Sequence, residues 1–164
     1  MIFINTAAEL SGNAKMNSYE AKSVGTLVRD FKNLFASNKL IFNKDTLGVI
    51  TPFRAQIACI KNTFEEMEIN HDDITVDTVE RYQGGARDII IISLCTNDVF
   101  LLDSMISMNE EGIDRKLNVA LTRARKQLII LGNKQILDKN DLYAKLIQKA
   151  YLIEVRNVSN VQSQ

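Results

Sequence analysis

The stretch Asp88-Ile89-Ile90-Ile91-Ile92-Ser93-Leu94-Cys95 decides the fold class. Four consecutive isoleucines without polar alternation belong to a strand covered on both faces, as the central strands of doubly wound parallel sheets are. Outward from it, short apolar runs alternate with longer helical patterns, which argues βαβ units around a mainly parallel sheet, an α/β fold. Ile2-Phe3-Ile4, Leu47 to Ile50, Ile74 to Val79 and Gln127 to Leu131 read as the other strands. Asn17-Ser18-Tyr19-Glu20 has capping-box form, and Ala21, Val24, Val28, Phe31 and Phe35 then recur every three or four residues, as one buried helix face requires. Thr51-Pro52 reads as the start of the next helix, since a hydroxyl can cap free N–H groups and Pro lacks the donor orphaned at the first helical position. Ile57, Ile60, Phe64 and Met67 form its apolar stripe. A polar loop near Ser104 to Gly112 leads to a helix from Asp114 to about Arg123, and Asp141 to Ala150 is a final helix with Leu142, Leu146 and Ile147 on one side.

The chain has 164 residues, 46% hydrophobic and 24% charged, with one Pro and no Trp, which suits one compact domain and excludes disordered or fibrous classes. Residues 1–156 are expected to form that domain, and 157–164 a polar, frayed tail. Twenty Lys+Arg balance twenty Asp+Glu, so any basic site is local. Cys59 and Cys95 lie in apolar periodic segments without metal-ligand spacing and read as reduced core residues, which with no signal or membrane segment gives a cytoplasmic expectation.

Three segments hold polar residues that a plain α/β core does not need, each expected at the C-terminal edge of the sheet or on a helix beside it, where open α/β sheets bind ligands. In Gly48-Val49-Ile50-Thr51-Pro52-Phe53-Arg54-Ala55-Gln56, Thr51 at a helix N-terminus suits either a backbone phosphate or an ordinary cap. In Val76 to Asp88, the residues Thr78, Glu80, Arg81 and Gln83 crowd one strand-to-strand connection whose Gly84-Gly85 pair permits close ligand approach or simply a turn. In Asp114 to Lys126, five Lys/Arg stand against one Asp; at helical spacing Arg115, Asn118, Thr122 and Arg125 share one side, with Arg123 at its flank. Arginine's planar fork suits a phosphoryl group in transfer, although a solvated basic face has the same composition. His71-Asp72-Asp73 reads as a turn rather than a metal site, and Tyr82 as packing beneath its motif rather than as a base-stacking platform.

The order "GVITPFRAQ", "VDTVERYQGGARDIIIISL", "RKLNVALTRARKQLIILGN", with the earlier "NSYEA" helix, resembles the second RecA-like motor domain of superfamily 1 helicases, in the branch of the RNA-surveillance and DNA-processing enzymes. The resemblance covers about Asn17 to Asn133. It implies a RecA-like three-layer sandwich, a P-loop NTPase fold lacking its own P-loop. It further implies that Arg123 is an arginine finger for ATP, supported by Arg125 and Asn118. Gln83, Gly84, Ala86 and Arg87 would couple to the nucleotide, and Thr51, Pro52, Thr78, Glu80 and Arg81 would line the track for a single strand of DNA or RNA. ATP and Mg2+ would be held mainly by an N-terminal RecA-like domain, the partner that completes the motor.

The sequence departs from the family at Ala86, where a glutamate usually holds the nucleotide sugar; Glu80 or Asp88 is the candidate substitute. No G-x-x-x-x-G-K-[ST] occurs, so no phosphate-cradling loop is present. Val99-Phe100-Leu101-Leu102-Asp103 imitates the strand-then-Asp form of a magnesium site, without a following Glu, and reads as a decoy. The expectation is half of a motor that does not hydrolyse ATP alone. The rival is a non-catalytic helicase-like module for nucleic-acid or protein contact; an unrelated nucleotide-binding α/β enzyme is disfavoured by the lack of a glycine-rich loop after the first strand.

Overall fold

A computed structural model describes residues 1–10, 12–82, 85–105 and 114–154. Its strands are β1 (Ile2–Asn5), β2 (Leu47–Ile50), β3 (Thr75–Asp77), β4 (Arg87–Ser93), β5 (Ala124–Gly132) and β6 (Tyr151–Glu154). They form one sheet in the order β3-β2-β4-β5-β1-β6, and every pairing is parallel. The isoleucine run is the reason β4 sits inside. Ile89 and Ile91 pack into one cluster with Ala21, Val24, Val28, Ile60 and Phe64. Ile90 and Ile92 pack into the other with Phe3, Ile130, Tyr143 and Ile147. Each such side chain contributes about 1.5–3 kcal/mol by leaving water, so moving β4 to an edge would forfeit burial on two faces at once.

The first cluster is closed by α1 (Ser18–Ser37) and α2 (Arg54–Glu66). The second lies under α3 (Leu102–Met105), α4 (Arg115–Leu121), α5 (Lys134–Leu137) and α6 (Asp141–Gln148). The result is the α/β three-layer sandwich. Both long helices end in the same way: Lys39 and Glu68 take positive φ of 56° and 53° just past the last turn, and the next residues, Leu40 and Ile69, donate back to Phe35 and Phe64.

Several expected boundaries shift. Thr51-Pro52 does not start a helix: the Thr51 N–H donates to Asp77 O at 3.2 Å, so Thr51 still belongs to the sheet edge, and α2 begins only at Arg54 after Phe53. The expected strand to Val79 stops at Asp77, because Thr78 O accepts from the N–H groups of Arg81 and Tyr82 and the chain turns. The basic helix ends at Leu121 and β5 begins at Ala124, paired with Arg87, so Arg125 is a strand residue and not on a helical face with Asn118. Val99-Phe100-Leu101 is a 3-10 turn and Leu102 opens α3, so the magnesium-site decoy is not even a strand. The strand β6 gave no signal because all four of its residues are exposed, and an edge strand without a buried face has no alternation to read. Gln83, Gly84, most of the polar loop and the 157–164 tail lie outside the described residues. Among the described residues no helix is long and apolar enough to cross a membrane.

Candidate functional site

In an all-parallel sheet every strand starts at one edge and ends at the other, and the candidate residues divide between the two. At the C-terminal edge, Thr51 and Thr78 follow β2 and β3, and both side chains are buried. Thr51 is fully covered, and its Oγ1 makes no hydrogen bond among the described residues. Pro52 and Val79 line an apolar cleft with Ile92, Leu117 and Tyr143, and Glu80 and Lys116 stand at it as well. The Lys116 Nζ donates to Glu80 at 2.8 Å. That bond is the main reason the Glu80 carboxyl lies below its usual range, with the Thr78 side chain adding to it. Arg81 is exposed, 4.0 Å from Asp77.

At the N-terminal edge, the Arg87 N–H donates to Arg123 O at 2.9 Å, joining the starts of β4 and β5. The Arg87 guanidinium lies 5.7 Å from the centre of the Tyr82 ring and 3.8 Å from Asp45. The Nε of Arg123 is buried without a hydrogen-bond partner among the described residues. Arg125 and Lys126 both reach Asp88, at 3.4 and 2.8 Å. These contacts, the Lys126 hydrogen bond first, hold the Asp88 carboxyl below its usual range. The expectation of three motifs on one edge is thus corrected: Ala86, Arg87, Arg123 and Arg125 lie at the edge opposite Thr51, Pro52, Thr78, Glu80 and Arg81. Parallel pairing allows no other arrangement once Arg87 and Ala124 are first residues of their strands. Glu80 is therefore not placed to stand in for the side chain missing at Ala86. Asp88 is on the right edge, already engaged by two cations.

Two segments run between the edges. Residues 78–87 carry the chain from the end of β3 to the start of β4, and Tyr82 within them is 97% buried, against a 3% exposure; packing, not base stacking, is its part. Helix α4 runs from Asp114, whose side chain caps the N–H groups of Lys116 and Leu117, towards Arg123. Asn118 is exposed midway along it.

Behind the C-terminal edge lies a buried polar network that sequence reading missed. Asn17 caps α1 by accepting from Glu20 N, but Glu20 does not return the bond as a capping box would. Its carboxylate instead accepts from Ser93 Oγ at 2.7 Å and Cys95 N at 2.8 Å, and from Thr96 N at 3.3 Å and Thr6 Oγ1 at 3.4 Å. Burial outweighs these donors and pushes the Glu20 pKa up to about 7. Gln56 ties the same group together, donating to Ser93 Oγ and Asn17 O while accepting from Asn17 N. The available signal was polarity out of place: Ser93 closes an apolar strand, and Glu20 and Gln56 sit in helices next to apolar stripes.

The fold and the two edges define a RecA-like domain of helicase type. Residues 1–135 match the AAA_12 family, an AAA domain, and the chain belongs to that family. The resemblance to the second RecA-like domain of superfamily 1 helicases stands with it. The chain is 35% identical over 125 residues to an uncharacterised ATP-dependent helicase of Methanocaldococcus jannaschii, covering 75% of this chain and 17% of that one. It is 33% identical over 142 residues to helicase sen1 of Schizosaccharomyces pombe, covering 82% and 8%. Against regulator of nonsense transcripts 1 of Dictyostelium discoideum it is 35% identical over 146 residues, covering 84% and 10%. The chain thus spans less than a fifth of the length of these relatives. A solved C-terminal domain of a possible DNA helicase from Lactobacillus plantarum aligns over 92% of this chain and 83% of its own at TM-score 0.47 and 12% identity.

Proposed function

We propose that this chain is the C-terminal motor domain of an ATP-dependent helicase or translocase, contributing an arginine finger at one edge of its sheet and part of a single-strand track at the other. The observation that carries this reading is the division of the arginine cluster Arg87, Arg123 and Arg125 from the strand-facing group Pro52, Glu80 and Arg81. Joined by residues 78–87 and α4, the two edges suit a device in which a change at one is felt at the other. ATP, bound between this domain and an N-terminal RecA-like partner with Mg2+, supplies the phosphoanhydride whose hydrolysis drives closure and opening. Arg123 fits that role from this side, since its Nε has no hydrogen-bond partner among the described residues. Asn118 and Arg125 support it, and Gln83, Gly84, Ala86 and Arg87 form the coupling segment. Thr78 serves the track by closing the turn that carries Glu80, and Thr51 offers a covered hydroxyl without a hydrogen-bond partner among the described residues.

The test is fluorescence anisotropy of a labelled single-stranded oligonucleotide with the 164-residue chain across a salt series. Weak, salt-sensitive binding is expected, and Arg81→Ala should lower the slope of log K against log[salt] by about 0.7. Thr51→Ala/Thr78→Ala should weaken binding further. Absence of binding at low salt overturns the track assignment and favours the second reading, a helicase-like module for protein contact. Ala86 is the observation on the side of that second reading, because it removes an acceptor for ribose hydroxyls.

A further inference from the structure

A carboxylate at the edge assigned to a phosphate-bearing strand needs an explanation, since Glu80 repels what Arg81 attracts. The geometry supplies one. Glu80 sits in the turn that closes on Thr78 O and meets Lys116 at 2.8 Å, and both members of the pair are half-exposed, at 52% and 38%. We infer that Lys116 is a phosphate contact of the strand track and that Glu80 occupies it as a stand-in for phosphate until the strand displaces it. The inference rests on the strand-binding reading and adds to it a residue and an exchange that this reading does not contain.

Three features make the exchange physically reasonable. An exposed ion pair is worth only about 0–1 kcal/mol, so a polyanion can break it at little cost. The acid has the shorter stem and sits in the turn that closes on Thr78 O, whereas the lysine has a flexible four-carbon stem and can swing away. Pro52 and Val79 flank the pair in one cleft, so a phosphate taken by Lys116 lies beside Pro52, a residue already assigned to the track. Lys116 also stands on α4, the helix that leads to Arg123. Glu80 thereby lowers the attraction of Lys116 for a lone anion by up to about fivefold, and a strand that also meets Arg81 displaces it.

The experiment uses the 164-residue chain, a fluorescein-labelled single-stranded oligonucleotide and a salt series. Lys116→Ala is expected to weaken binding several-fold and to remove about 0.7 from the salt slope, while Lys116→Arg retains both. Glu80→Gln is expected to tighten binding by up to about fivefold, the fold-change of one freed exposed pair. In the Lys116→Ala background that gain should fall below half, which separates an exchange from a general charge effect. An equal gain with and without Lys116, or an unchanged slope in Lys116→Ala, overturns the exchange while leaving the strand reading intact. No binding by any variant at low salt overturns both. Matching thermal unfolding curves confirm that the variants are folded.

Discussion

The hydroxyl of Tyr82 lies so close over Gly48 that a β-carbon at Gly48 would stand 1.7 Å from it. Tyr82 arrives from the turn after β3, at the C-terminal edge of the sheet, and its ring passes under the Arg87 guanidinium at the other edge. A missing side chain in β2 therefore makes room for an aromatic ring that reaches from one group of candidate residues to the other. The hydroxyl itself is buried and makes no hydrogen bond among the described residues. Burial raises its pKa, while Arg87 and Arg123 pull it back.

Gly48→Ala should destabilise the chain by about 1–3 kcal/mol, the cost of overpacking a closed core. Combining it with Tyr82→Phe should recover part of that loss, since the nearest atom is then the ring carbon at 2.8 Å. Tyr82→Phe alone should be neutral or stabilising, because it removes a buried hydroxyl that makes no hydrogen bond among the described residues. Urea unfolding of the three variants checks this; a Gly48→Ala variant as stable as wild type would show that the ring is free to leave.

Glu20 sets a pH dependence whose sign follows from its raised pKa. The folded chain keeps the Glu20 proton up to about pH 7, whereas the unfolded chain loses it near the ordinary glutamate value. Between those limits the folded state binds more protons, so the Glu20 contribution to stability is fully present at acid pH and is lost as pH rises to about 7. Glu20→Gln has no such titration. The stability difference between the two proteins, from denaturant melts at pH 5 and pH 8, should change in favour of Glu20→Gln by about 3 kcal/mol across the window. A constant difference would mean that Glu20 is ionised throughout.

Much of this was legible because burial and periodicity are local properties. Ile89 to Ile92 announced a central strand by themselves, and Ala21, Val24 and Val28 announced the face of α1. The boundaries at Thr51 and Arg125 were not legible, because each is set by a backbone bond to a distant strand, as when Arg123 O takes the Arg87 N–H instead of continuing a helix; the one at Thr78 is set by a local turn, in which the Arg81 and Tyr82 N–H groups donate to Thr78 O. The motif residues could be picked out one by one. Their distribution over two edges could not, since an edge exists only once strand order and direction are known. Glu20 looked like half of a capping box for the same reason: its partners, Ser93, Cys95 and Thr96, are more than 70 residues away.

The helix ends offer a test of the fold alone. Lys39 and Glu68 occupy the left-handed position that glycine takes at no steric cost. Lys39→Gly and Glu68→Gly should each stabilise by about 0.5–1 kcal/mol, less the entropy glycine adds to the unfolded chain. Thermal melts should show small upward shifts that add, because the two caps belong to different helices. A loss of stability in both would mean that these residues do not hold the positive φ.

The arginine edge predicts an absence of activity. An arginine finger, the role proposed for Arg123, can accelerate phosphoryl transfer by about 10³ to 10⁵, but only on a phosphate already held in line with its nucleophile and metal. Holding it is the work of a loop of backbone N–H groups ending in Gly-Lys-Ser/Thr, which this sequence does not contain. Arg87, Arg123, Arg125 and Lys126 would attract a nucleotide's charge without fixing its geometry, and Asp88 already occupies two of them. The purified 164-residue chain with ATP and Mg2+ should therefore release phosphate no faster than buffer, and Arg123→Ala should change nothing in that assay. Steady turnover that Arg123→Ala abolishes would show that the chain builds a complete hydrolytic site by itself, and the half-motor reading would fall.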